Sequence, residues 1–167
     1  MPTFDFKQDL LDVFNAENPH FATPLTQDDV TFGEPDWQYW NENDDEDMRD
    51  TAITITAKPE CLHFKGTQTL RWQREIMKPI APETGRPITE SLADWDTTEK
   101  IDARVRQEYA AVGGDLDLLD FVGYDIDVYD GVLANDGYDK DVTVTTRDSL
   151  RYGATVLVEW QITNSTP

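Results

Sequence analysis

The sequence predicts an α+β fold, in which a mostly antiparallel sheet is packed by an N-terminal helix and one central helix, with a long irregular arm. Two observations favour this class. Apolar residues recur at helical spacing near the N-terminus and again at 97–112, whereas several other segments alternate apolar and polar residues. These helices and strands do not alternate regularly, which disfavours a parallel βαβ sheet.

The chain of 167 residues is expected to form a single domain, 1–167, that needs no disulfide or metal to fold. Cys61 is the only cysteine, which favours a reducing compartment. No run approaches the ~18 apolar residues of a membrane span, and the N-terminal segment carries acids where a secretory signal needs an apolar core. We therefore expect a soluble protein.

The first helix is predicted from Phe6, Leu10, Val13 and Phe14, which share one helical face. Asp5 precedes them and can accept hydrogen bonds from the amides of a first turn. A short amphipathic helix therefore opens the chain.

Residues 28–50 form the predicted arm, which holds ten acids against one base and an aromatic cluster of Trp37, Tyr39 and Trp40. Irregular connections of this length are uncommon in compact domains and are usually functional or disordered. The aromatic cluster indicates that the arm packs against another surface. That surface is either the core of the same molecule or a second subunit, and both hypotheses are kept.

Period-two patterns predict a strand over 51–58 and a second, bulged strand over 62–73 that resumes after Gly66. Residues 77–96 contain three prolines and a glycine, which predict a loop.

The central helix is predicted over Thr97–Val112. Asp96 and Glu99 have the spacing of a capping box, and two glycines at 113 and 114 provide a stop. Its expected buried stripe is Ile101, Val105, Tyr109 and Val112.

Beyond this helix, alternation predicts a hairpin over 124–146 whose Asp side chains face solvent. The last strand is expected to bury one face, and the polar tail at 163–167 is expected to fray. The residues of that face are Ala154, Val156, Val158, Trp160 and Ile162.

The charge of the chain is its strongest functional signal, with 34 acidic against 14 basic residues and a net charge of −20. Eighteen aromatic residues indicate a folded domain rather than a disordered acidic chain. Binding to nucleic-acid phosphates is disfavoured, because that affinity comes from Lys and Arg. An acidic surface can repel DNA along a path, imitate DNA, or reflect adaptation to high salt.

The charges are also segregated along the chain. Residues 58–86 hold six bases against three acids, between acidic segments at 28–50 and 115–148. This suits head-to-tail association into a ring, although pairing within one molecule explains it equally well. The candidate interface residues are Trp37, Tyr39, Trp40, Arg71 and Arg74.

The sequence contains little evidence for catalytic residues. His20, His63 and Cys61 have no spacing typical of a nucleophile and its base, so no catalytic or cofactor-binding residue is predicted and a structural role is favoured for each. A hydrolase that uses only Asp or Glu stays a minor hypothesis.

A calcium loop is suggested by Asp125, Asp127 and Asp130, which are followed by Gly131. The register is wrong, because an EF-hand loop needs glycine at its sixth position and Asp130 stands there. No metal site is predicted, and whether these three residues bind a cation stays open.

The element order, together with a closing strand at 154–160 preceded by Arg151, Tyr152 and Gly153, resembles small tail-completion or tail-terminator proteins of tailed phages. The acidic arm and the Asp-rich hairpin at 124–142 have no counterpart that we can match. The resemblance implies a ring in the tail or head-tail neck, made of copies of this chain that contact other tail or neck proteins. It implies assembly in the host cytoplasm, residence in the virion and no enzymatic activity. The alternative is an acidic DNA mimic that inhibits a DNA-binding protein.

Overall fold

The computed structural model describes residues 3–39, 44, 46–81, 85–131 and 137–165. They form an α+β protein, as predicted. The chain divides into two compact units, an N-terminal unit that ends at Glu75 and a C-terminal unit that begins at Ile76. The single domain over 1–167 stays a prediction.

The N-terminal unit combines one helix with a three-stranded antiparallel sheet of order β1-β2-β3. Its buried core contains Leu11, Leu25, Val30 and Ile55. The side chain of Asp5 accepts a hydrogen bond from the first turn of the helix, as predicted. The elements are α1 (Phe6–Glu17), β1 (Val30–Phe32), β2 (Thr51–Ala57) and β3 (Thr67–Trp72).

Three local predictions in this unit were wrong. The helix buries Leu11 and leaves Val13 61% exposed, because its apolar face is rotated from the expected stripe. Strand β1 lies within the predicted arm, whose other described residues have no regular structure apart from one bridge of Asp36 to Ala52. Residues 62–66 connect β2 to β3 rather than forming strand; Leu62 is 89% exposed.

The C-terminal unit contains a four-stranded sheet of order β5-β9-β7-β6. Strand β5 runs parallel to β9, and the other two pairs are antiparallel. The hairpin of β6 and β7 confirms the pairing expected at 124–146. The elements are β4 (Glu75–Ile76, at the boundary between the units), β5 (Arg86–Glu90), a single 3₁₀ turn (Leu92–Trp95), α2 (Thr98–Ala111), α3 (Leu116–Val122), β6 (Tyr124–Asp130), β7 (Lys140–Thr146), β8 (Tyr152–Gly153) and β9 (Val156–Asn164).

The central helix is confirmed, and it buries Ile101, Val105 and Tyr109. Its N-cap is Thr97, whose side chain accepts from the amide of the third helical residue, whereas Asp96 binds Lys100 instead. The cap therefore lies one residue later than the capping-box spacing predicted.

Three further features of the C-terminal unit were missed. Strand β5 lies in the predicted loop, where Pro87 is tolerated because β5 is an edge strand that pairs only with β9. Helix α3 has only seven residues, too few for a clear helical period. Residues 163 and 164 belong to β9 rather than to a frayed tail, and 166–167 lie outside the described residues.

The buried face of the last strand differs from the predicted one because of a bulge. Val144 pairs with Val158, and the next residue of β7 pairs with Val156, so Leu157 is an extra residue on β9. Leu157 is fully buried, while Val156 is 44% exposed. Ala154 is also exposed, so the predicted face holds only from Val158 onward.

No helix in the described part of the chain is long and apolar enough to cross a membrane.

Candidate functional site

Four of the five predicted interface residues lie together in the N-terminal unit and form what we call the arginine–aromatic cluster: Trp37, Tyr39, Arg71 and Arg74. The guanidinium carbon of Arg71 lies 4.9 Å from the ring centre of Tyr39. That of Arg74 lies 5.1 Å from the ring centre of Trp37. Both are cation–π distances. Trp40, the fifth predicted residue, lies outside the described residues.

Arg74 is an internal member of this cluster, with a side chain only 8% exposed. Its Nη2 donates to the carbonyl oxygen of Trp37 at 3.1 Å, and its backbone N donates to Asp50 Oδ1 at 3.1 Å. Burial raises the pKa of Asp50, whereas hydrogen bonds from Arg74 and Thr51 lower it. The combined effect of the hydrogen bonds is larger, so the pKa of Asp50 lies below its ordinary value. Arg71 is exposed. The interface role of the cluster stays a prediction, and Arg71 is its accessible cation.

Three further cations of the basic segment at 58–86 make contacts within the unit to which each belongs. Lys58 and Lys78 each donate to a backbone carbonyl oxygen. Arg86 lies 2.9 Å from a carboxylate oxygen of Glu108. These contacts favour the intramolecular interpretation of the charge segregation for these three residues.

Most lysine and arginine side chains make an ion pair within the chain. Eight lysine and arginine side chains in the described residues lie within ion-pair distance of a carboxylate of the same chain. The pairs are Arg49–Asp47, Arg74–Asp50, Arg86–Glu108, Lys100–Asp96, Arg104–Glu90, Arg104–Glu108, Arg106–Asp120, Lys140–Asp130 and Arg147–Asp125. Because acids outnumber bases so strongly, an excess of carboxylates is left over.

This excess is divided equally between the two units. Residues 1–75 hold 16 acids and 6 bases, and residues 76–167 hold 18 acids and 8 bases, so each part has a net charge of −10. The acidity therefore belongs to both units.

The carboxylates of the Asp-rich hairpin lie along β6, an edge strand of the four-stranded sheet. Asp125 and Asp127 are exposed, as predicted, but the prediction was wrong for Asp141, which is buried because β7 lies inside the sheet between β9 and β6. Asp125 lies 2.6 Å from Arg147, and Asp130 lies 3.1 Å from Lys140. Within the described residues no group of three or more His, Cys, Asp or Glu side chains is placed to hold a metal ion.

The histidines and the cysteine lie in the N-terminal unit. The thiol of Cys61 is 3.5 Å from Asp29 Oδ1. The ring of His20 lies 4.4 Å from that of Phe21, and His63 is exposed. These contacts give Cys61 and His20 structural partners.

Sequence analysis missed a charged groove of about 370 Å³ in the C-terminal unit. Side chains from α2, α3 and β6 line it, among them Asp102, Arg106, Asp120 and Tyr124. Burial and a hydrogen bond to Asp102 raise the pKa of Tyr124 to about 12, so the phenol is a neutral donor at physiological pH. The hydrogen bond from Arg106 lowers the pKa of Asp120. The sequence contained one indication of this groove, because the i, i+4 spacing of Asp102 and Arg106 places both side chains on the same face of α2.

The N-terminal unit also contains an aromatic-lined pocket of about 170 Å³. The ring of Phe21 lies 6.1 Å from that of Phe14 and 5.5 Å from that of Phe64. Lys65 also lines the pocket. Its size and lining suit an apolar side chain rather than a polar ligand.

Comparison with known proteins extends over both units. A model described as "Family of unknown function (DUF7941)" matches residues 4–161, which include every element from α1 to β8 and most of β9. No curated protein and no solved structure matches the chain significantly. Because the family model covers well over half of its length, the chain belongs to DUF7941, a family of unknown function.

Proposed function

We propose that this protein is a structural and assembly protein of a phage tail or head-tail neck, which forms a ring with a DNA-repelling acidic surface. The observation that supports the proposal is how the positive charges are used. Of the fourteen lysines and arginines, at least ten contact carboxylates or carbonyl oxygens within the described part of the chain. The excess of 34 acidic over 14 basic residues gives the net charge of −20.

Such a surface suits a channel through which DNA passes. A wall of like charge repels the phosphates, whereas free Lys and Arg would bind them with release of counterions. Repulsion acts within a Debye length of ~8 Å at physiological ionic strength, so it matters where the duplex passes close to the wall. The equal charge of the two units means that either can line the channel.

In this proposal the protein works through contacts rather than catalysis. Its partners are further copies of the chain and other tail or neck proteins. It is assembled in the host cytoplasm, resides in the virion, and binds no small-molecule substrate or cofactor.

Native mass spectrometry of the purified chain, followed by electron microscopy of the same sample, tests the proposal. We expect a closed ring of defined subunit number. Sedimentation with duplex DNA at low salt should leave the DNA unbound, with a basic DNA-binding protein as the positive control. A monomer at micromolar concentration, or retention of DNA, would overturn the proposal.

The equal net charge of the two units also favours the alternative, an acidic DNA mimic, because a mimic needs carboxylates on more than one part of its surface. This function predicts a stable monomer or dimer. It also predicts that the purified chain displaces duplex DNA from a DNA-binding protein. A ring without such competition would exclude it.

A further inference from the structure

The three-stranded and four-stranded sheets end in four edge strands, β1, β3, β5 and β6, and two of them are poor templates for another strand. The third sheet of the described residues consists of β4 and β8, which have two residues each. Strand β1 has only three residues, and β5 contains Pro87, both of which limit edge pairing. Strands β3 and β6 have six and seven residues and no proline. Within the three-stranded and four-stranded sheets of the described residues, these two edges are long enough to accept a further strand.

These two edges carry opposite charges that the chain itself leaves without an ion-pair partner. Arg71 is the only charged residue on β3, and among the described residues no carboxylate lies within ion-pair distance of it. Of the three carboxylates on β6, Asp125 and Asp130 bind Arg147 and Lys140, and Asp127 is the one left without a described cation.

We propose that β3 of one subunit pairs edge to edge with β6 of a second copy, so that Arg71 faces Asp127. The inference rests on the ring proposed above and identifies its subunit contact. Main-chain hydrogen bonds provide the association, as in other cases of strand addition. The adjacent Val128 and Tyr129, 38% and 47% exposed, provide apolar surface that the contact buries.

Charge also selects this pairing against the alternative in which identical edges meet. Two β6 strands would place acids opposite acids, and like charges on opposite strands are destabilising. A β3–β6 pair joins two different surfaces, so each subunit offers one to each neighbour. Such a contact produces a ring or a filament rather than a two-fold dimer.

A charge-exchange experiment tests the contact by sedimentation velocity. Arg71→Glu places two acids at every interface, and Asp127→Arg places two arginines there, so each variant should weaken association by about tenfold or more. The double variant R71E/D127R restores opposite charges and should assemble again. Arg71→Lys, which keeps the charge, should assemble like the wild type.

The controls are Lys65→Glu and Glu34→Arg, two exposed residues outside strands that reproduce the net-charge changes. Circular dichroism of every variant establishes that it is folded. If the wild type is monomeric, the ring and this contact both fail. If the wild type is a ring that the single variants leave intact, or that the double variant does not restore, the β3–β6 contact is overturned while the ring stands.

Discussion

The guanidinium of Arg74 lies over the ring of Trp37, 5.1 Å from its centre, and donates to the carbonyl oxygen of the same residue at 3.1 Å. One side chain thus holds both the ring and the backbone of the segment between β1 and β2. Asp50, just before β2, accepts from the backbone of Arg74. The contact ties the acidic segment to the sheet of the N-terminal unit.

Replacing Arg74 by alanine should lower the free energy of unfolding by about 1–3 kcal/mol, because a largely buried hydrogen-bonded charge is lost and the carbonyl of Trp37 loses its donor. Urea denaturation followed by tryptophan fluorescence measures the change. Arg71→Ala is the matched control; its exposed stack on Tyr39 should contribute less than about 1 kcal/mol. Equal losses in the two variants would contradict the internal role of Arg74.

Glu90 should make stability depend on pH. Its carboxylate accepts from Arg104 Nη1 at 2.6 Å and from Trp95 Nε1 at 3.1 Å. The hydrogen bond from Arg104 lowers the pKa of Glu90 below its ordinary value of 4.5. Because this pKa is lower in the folded state, the stabilisation is complete above the unfolded pKa and is lost as the pH falls through the folded pKa.

Glu90→Gln should therefore reduce the free energy of unfolding by about 1 kcal/mol at pH 7. Its deficit relative to the wild type should shrink as the pH falls below about 4.5. Denaturation curves over this pH range measure the difference. Glu60→Gln, the same change at an exposed residue, should show no such trend. A deficit that is constant with pH would rule out the ionised Arg104 contact as its source.

Asp127→Asn should change the free energy of unfolding by less than about 0.5 kcal/mol, because Asp127 is exposed on an edge strand. Thermal or chemical denaturation of the variant under conditions that keep it monomeric tests this. A loss of several kcal/mol, or of a bound ion, would show that the carboxylate has a structural or metal-binding role.

The bulge on β9 predicts opposite behaviour of two adjacent residues. Leu157→Ala should cost about 2–5 kcal/mol, since a fully buried side chain leaves a cavity. Val156→Ala should cost less than about 1 kcal/mol, since its side chain is 44% exposed. Chemical denaturation of both variants measures the contrast. The reverse order would contradict the register of β7 and β9.

The local sequence pattern was sufficient to predict the elements in which apolar residues recur with a regular period. The stripe of Ile101, Val105 and Tyr109 predicted α2 because these three residues recur with the helical period. Alternation predicted β2 and the hairpin of β6 and β7 for the corresponding reason. Composition alone determined that the chain is acidic.

Only the tertiary structure decided the features that depend on partners far apart in the sequence. Strand β5 exists because it pairs with β9, more than seventy residues later, and Leu157 is buried because the register with β7 makes it an extra residue. Arg71 and Arg74 are alike in sequence, yet only Arg74 lies close to Asp50. The energy of a charge or an apolar group depends on its distances to atoms that folding brings together, and sequence spacing does not contain those distances.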